Sequence, residues 1–127
     1  MPGIKVDTGT VPLDGFPGEV VTEGLDGLAQ RLKEYYDLGA RFTKWRAVVT
    51  IATEIPTDQC IRINAVMLAR FASLSQAAGL VPVVEPEVIL HGSHDIAKAQ
   101  DVTSRTLSVL FETLKDYRVD LTALLLK

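Results

Sequence analysis

Cysteine is almost absent from this chain, with Cys60 alone among 127 residues. An internal disulfide framework is therefore excluded, and a reducing compartment fits. Also missing is an uncharged apolar run of about 20 residues, the length that crosses a bilayer. The opening Met1-Pro2-Gly3-Ile4-Lys5 has neither a signal-peptide core nor a transit-peptide composition, so a soluble, cytoplasmic product is expected. Neither sign of charge dominates: 13 basic and 16 acidic residues leave a net −3 at pH 7. That balance argues against a nucleic-acid or membrane partner held by bulk charge, and any phosphate site has to be local. Low-complexity segments, linkers and obvious repeats are lacking as well. With 47% hydrophobic and 23% charged residues, the composition is globular. Residues 1–127 read as a single segment of one domain with no internal boundary.

What is present centres on Val81-Pro82-Val83-Val84-Glu85-Pro86-Glu87. The valines favour a pleated, packed backbone, while Pro82 and Pro86 forbid a helix and hold their predecessors extended. Residues two apart on a strand share a face, so Glu85 and Glu87 are expected on the same side as Val83. The apolar character predicts a strand buried on both faces, as in a parallel sheet, where ligands bind beyond the carboxyl ends of the strands. Two acids there are poorly explained by solvation alone.

The remaining chain alternates. Ile4 to Asp7 reads as a short strand, followed by a loop rich in glycine and proline. Leu25, Leu28, Leu32, Tyr35 and Tyr36 recur at helical spacing, with Thr22 as a possible N-cap and Gly39 as a stop. Ala40 to Ile51 predicts a second strand, placing Phe42, Lys44 and Arg46 on one face and Thr43 and Trp45 on the other. Thr57 is placed to cap a long helix whose stripe is Ile61, Ala65, Leu68, Ala69 and Ala72, widened by Met67 and Phe71. Gly79 is expected to end it, and Cys60 within it reads as packing. After the valine strand, Asp95 is a plausible cap for a third helix carrying Ile96, Ala99, Val102, Leu107, Leu110 and Leu114. Leu121 to Lys127 reads as another buried strand. Strand and helix thus alternate, which implies an α/β fold with right-handed parallel crossovers.

Lys5, Lys44, Glu85 and Lys127 lie at predicted strand ends, at intervals of roughly 40 residues, the length of one strand–helix unit. Four strands and three helices amount to about half of a TIM (β/α)₈ barrel, whose catalytic groups sit at the C-terminal ends of the strands. A flavodoxin-like sheet is the rival, but it has a fifth strand, and no glycine-rich phosphate loop follows the first strand here.

Each charged group has two readings. Lys127 is either a solvated lysine or a desolvated amine, its pKa lowered by nearby Lys44, able to form a Schiff base with a carbonyl. Glu85 and Glu87 would then move protons, and if the two carboxylates sit close together one of them is raised in pKa. Lys44 and Arg46, like Lys5, are either a solvated strand edge or cations for a phosphate. His91 and His94 with Asp95 read as a loop and a helix cap; a metal site would need further ligands. Trp45 reads as core or as a wall of the site, and Asp7 and Asp14 as turn residues.

Taken together, Gly3-Ile4-Lys5-Val6-Asp7, Phe42-Thr43-Lys44-Trp45-Arg46, Val81 to Glu87, Gly92-Ser93-His94-Asp95 and Leu124-Leu125-Leu126-Lys127 resemble the class I, Schiff-base fructose-bisphosphate aldolases. The resemblance runs the length of the sequence and covers an interior part of the family's chain. It implies a TIM barrel, with these residues spanning its third to sixth strands. It further implies that Lys127 is the imine-forming lysine, Glu85 the general acid/base and Glu87 its active-site neighbour. Lys44 would assist carbinolamine dehydration, Arg46 would bind the far phosphate of the sugar, and Lys5 would line the same site. The implied substrate is a sugar phosphate, cleaved without metal or other cofactor because the imine is the electron sink. A cytosolic, glycolytic homo-oligomer, a tetramer by resemblance, is expected. Thr8 stands where many members carry lysine. The rival readings are an aldolase preferring fructose 1-phosphate or sedoheptulose bisphosphate, and a noncatalytic binding or assembly module on the same fold.

Overall fold

The computed structural model describes residues 1–127. Its frame is a four-stranded sheet, with β1 (Gly3–Lys5), β4 (Phe42–Val49), β5 (Val81–Val88) and β6 (Leu125–Leu126) side by side in that order and all parallel. Between them run α1 (Leu28–Asp37), α2 (Asp58–Ala77) and α3 (Ile96–Asp116), so each strand joins the next through a helix. The glycine-rich stretch after β1, expected to be a loop, is an antiparallel hairpin of β2 (Gly9–Pro12) and β3 (Val20–Glu23). Its strands are four residues each and carry no clean alternation of polar and apolar side chains, so the turn residues dominated the pattern. None of the helices is long and apolar enough to cross a membrane.

β4 shows why the sheet lies as it does. Thr43, Trp45, Ala47 and Val49 alternate with Phe42, Lys44, Arg46 and Val48; the first set is buried and the second half-buried. The buried set faces the helices. There Trp45 stacks on Phe71 of α2, with ring centroids 5.5 Å apart and planes inclined by 28°. Leu28 and Leu32 of α1, Leu68 and Ala72 of α2, Val84 of β5 and Leu110 and Leu114 of α3 belong to the same core. The helices therefore cover one face of the sheet and leave the charged residues of the other face together.

The caps explain where the helices begin. Thr57 accepts the Cys60 N–H at 3.2 Å and Asp95 accepts the Lys98 N–H at 2.8 Å, as their positions predicted. Thr22 is not a cap. It lies on β3, and α1 starts after Gly27, which holds a left-handed φ of 67°. Gly24, at φ 134°, is required for a second reason, since a Cβ there would come within 3.0 Å of the Asp7 and Thr8 backbone.

Three further expectations are corrected. Ile96 does not join the buried stripe of α3; it is the first residue of the helix and is exposed, whereas Thr106 is buried among the apolar residues. The last strand is short: Leu121–Ala123 form a 3₁₀ turn capped by Asp120, and Leu125 and Leu126 are exposed on the sheet edge. β5 is not buried on both faces either, because Val84 is in the core while Val81 is exposed and Val83 half-buried.

Candidate active site

Register assembles the charged groups. On the open face Arg46 lies opposite Glu85, Val48 opposite Glu87 and Lys44 opposite Val83. Long side chains reach one step along the neighbouring strand. Lys44 pairs with Glu85 Oε2, and Arg46 Nε pairs with Glu87 Oε2. On the other side of β5, Val83 is opposite Leu125 and the Lys127 N–H donates to the Val84 carbonyl at 2.9 Å. That places Lys127 level with Glu85, and its Nζ donates to Glu85 Oε1 at 2.7 Å.

Glu85 is thus the centre of the cluster, its side chain only 7% exposed and held between two ammonium groups. Burial alone would raise its pKa. Hydrogen bonds from Lys127 and Lys44, with their charges, outweigh that and hold the carboxyl below its ordinary value of 4.5. The expectation of one carboxylate raised by a close acidic neighbour is corrected here. Glu87 is drawn to Arg46, and each acid has its own cation instead of the other acid. An ionised carboxylate in this position can accept a proton from the neighbouring ammonium, and an amine so freed can attack a carbonyl.

Of the two readings of Lys127, burial favours the solvated one, with its side chain 63% exposed beside the open edge of β6. Lys5 is the register partner of Lys44, but its Nζ pairs with Asp7 Oδ1 and does not join the Glu85 cluster. Asp7 turned out to be more than a turn residue. Its buried carboxylate accepts the Gly9 N–H and the Arg46 N–H, each at 3.1 Å. Proximity to the lysine of β1 was the available signal, but the reach to β4 required the fold.

His91 and His94 gather no third side chain of a metal-ligating type, and Asp95 is occupied as a cap. Trp45 is wholly buried core behind the site. Asp14 lies in the turn between β2 and β3. Cys60 is buried in α2, where burial first and the neighbouring Glu19 second push its thiol up to about 11.

The family model for fructose-bisphosphate aldolase class-I matches residues 1–127. The chain belongs to the class I fructose-bisphosphate aldolase family. A probable class 1 fructose-bisphosphate aldolase of Xylella fastidiosa (strain Temecula1) is 58% identical over 127 residues, covering 100% of this chain and 38% of the relative. The cytosolic fructose-bisphosphate aldolase 6 of Arabidopsis thaliana is 53% identical over the same length, 36% of its own. A solved Plasmodium falciparum aldolase, in a ternary complex with TRAP and a small-molecule inhibitor, superposes with a TM-score of 0.97 at 48% identity. That match covers 99% of this chain and 37% of the solved one. The chain therefore spans somewhat over a third of the length of these aldolases. Its parallel sheet with helices on one face is an arc of the TIM barrel, and the flavodoxin-like alternative is discarded.

Proposed function

We propose that the full-length protein reversibly cleaves fructose 1,6-bisphosphate to dihydroxyacetone phosphate and glyceraldehyde 3-phosphate through an imine on Lys127. The observation that carries this reading is Glu85 held between the Lys127 and Lys44 ammonium groups. Residues 1–127 belong to a single barrel domain, as its third to sixth strands, and the other strands complete the substrate pocket. A cytoplasmic setting is supported by the cytosolic names of the Arabidopsis relatives, and a homo-oligomer, a tetramer, by family resemblance.

The chemistry follows from the positions of the groups. Glu85 accepts a proton from Lys127, whose free amine adds to the ketone carbon of the sugar. The resulting carbinolamine hydroxyl is protonated by Glu85 with help from Lys44 and leaves as water, giving a protonated imine. That imine withdraws electrons from the adjacent carbon. When Glu85 removes the proton of the C4 hydroxyl, the C3–C4 bond breaks, the aldehyde leaves and the electron pair of that bond stays with C3 as the carbon–carbon double bond of an enamine on Lys127. Protonation of the enamine carbon and hydrolysis of the imine release dihydroxyacetone phosphate and restore the amine. Lys44 orients the substrate, and Arg46, which is released from Glu87 when a phosphate arrives, binds the far phosphate. Lys5 lines the same side of the site.

Borohydride reduction of the full-length protein with dihydroxyacetone phosphate, followed by peptide mass spectrometry, tests this reading. A substrate-sized adduct on Lys127 is expected. The absence of an adduct, or an adduct on another lysine, would overturn it.

A further inference from the structure

Past Lys5, β1 stops pairing with β4 although β4 runs on to Val49. The last regular bond is from the Val6 N–H to the Lys44 carbonyl at 3.0 Å. In a parallel ladder the next would run from the Arg46 N–H to the Val6 carbonyl. The Val6 carbonyl instead accepts from Arg31 Nη1 at 3.3 Å, and the Arg46 N–H goes to Asp7 Oδ2 at 3.1 Å. The carbonyl of the same residue accepts from Thr22 Oγ1 at 2.7 Å. Two buried side chains finish a ladder that the backbone leaves incomplete, and they do so at Arg46.

We infer that Asp7, together with Thr22, is a positioning residue for recognition of the second phosphate of the substrate. The inference rests on the aldolase reading above and on the assignment of Arg46 to that phosphate. By holding both polar groups of the Arg46 main chain, the pair fixes the origin and direction of the guanidinium. Asp7 Oδ1 meanwhile accepts from Gly9 and pairs with Lys5, tying a second cation of the site to the same carboxylate. Three donors converge on one side chain whose exposure is 2%, a demand that a carboxylate meets with its four lone-pair positions. An asparagine offers one acceptor oxygen, and its amide would face a donor on one side or the other.

The Lys44–Glu85–Lys127 group makes no hydrogen bond to Asp7 or Thr22, whereas Arg46 is bound to both through its backbone. Loosening this anchor therefore disturbs the phosphate-binding half of the site and spares the imine-forming half. A purely structural role would instead weaken every substrate alike.

The test is steady-state kinetics of the full-length protein, its Asp7→Asn variant and its Thr22→Val variant on fructose 1,6-bisphosphate and fructose 1-phosphate. Each protein is also trapped with dihydroxyacetone phosphate and borohydride. For Asp7→Asn the kcat/KM ratio of bisphosphate over monophosphate is expected to fall about tenfold, mainly through KM, with trapping on Lys127 retained. Thr22→Val should lower the ratio in the same direction by a smaller factor. An unchanged ratio, or an equal loss on both substrates, would overturn the inference. If Asp7→Asn does not fold, Thr22→Val decides by the same criterion. Failure of the unsubstituted protein to trap would be a different result, one that removes the aldolase reading itself.

Discussion

Glu85 and Lys127, 42 residues apart in sequence, meet across neighbouring parallel strands, with Lys127 Nζ donating to Glu85 Oε1 at 2.7 Å. On the mechanism proposed above, this contact would store the nucleophile beside the base that deprotonates it. Replacing either end should separate two functions. Lys127→Ala should abolish imine trapping, and Lys127→Arg should fail equally because a guanidinium keeps the charge without forming the imine. Glu85→Gln should lower kcat by roughly 10²–10⁴-fold, the usual worth of a general acid/base, while trapped ketone is still detected at long incubation. Wild-type cleavage by Lys127→Ala would show the mechanism to be wrong.

The same ion pairs make a prediction about acid. Glu85 has a folded-state pKa below its ordinary value of 4.5. Its stabilising contribution is therefore complete above the unfolded value and is lost as pH falls through the folded one. The gap in denaturation midpoint between the unsubstituted protein and Glu85→Gln should accordingly shrink as pH is lowered from about 6 to about 3. A gap that stayed constant over that range would contradict the assigned pairing.

Behind the site, Trp45 and Phe71 fill the interface between β4 and α2, both fully buried. Phe71→Ala removes a ring from a close-packed core and should cost about 3–5 kcal/mol in denaturant titrations. Trp45, the single tryptophan of residues 1–127, stacks on the deleted ring, so its fluorescence should change with the substitution. A loss below about 1 kcal/mol would mean that this packing matters little.

Cys60 offers a chemical probe of the hairpin's attachment. The thiol is buried, pushed up to about 11, and its Sγ lies 3.7 Å from the Val20 carbonyl on β3. Because the neutral thiol is the favoured folded form, this contribution is present below its ordinary value of 9.0 and is lost as pH rises through about 11. Alkylation near pH 8 should therefore be negligible in the native protein and complete after denaturation. Glu19→Gln should speed it: that carboxylate accepts from both the Thr57 N–H, at 2.8 Å, and the Thr57 Oγ1, at 2.6 Å, beside the thiol. Equal rates in native and denatured protein would refute the placement of Cys60.

Long, periodic elements were legible from the residues. The stripe from Ile61 to Ala72 lies in one buried helix face, Thr57 and Asp95 cap where expected, and Trp45 alternates out of phase with Lys44 and Arg46. The hairpin was not legible, because short strands separated by Gly15, Pro17 and Gly18 carry more turn chemistry than periodicity. Thr22 illustrates the same limit. As a threonine before a helix it satisfies a capping pattern, but its hydroxyl is spent on the Arg46 carbonyl of another strand.

The sequence by itself determined the alternating strand–helix order, the family resemblance and the presence of Lys44, Arg46, Glu85, Glu87 and Lys127 on strands or at their ends, since these depend on periodicity and on local backbone preference. Only the tertiary structure decided who pairs with whom. Glu85 faces Lys44 and Lys127 while Glu87 faces Arg46, and Asp7 reaches across to the Arg46 backbone, because parallel register brings together residues about 40 positions apart. The pKa of Glu85 follows from those neighbours, so its direction, downward and not upward, could be known only once the strands were side by side.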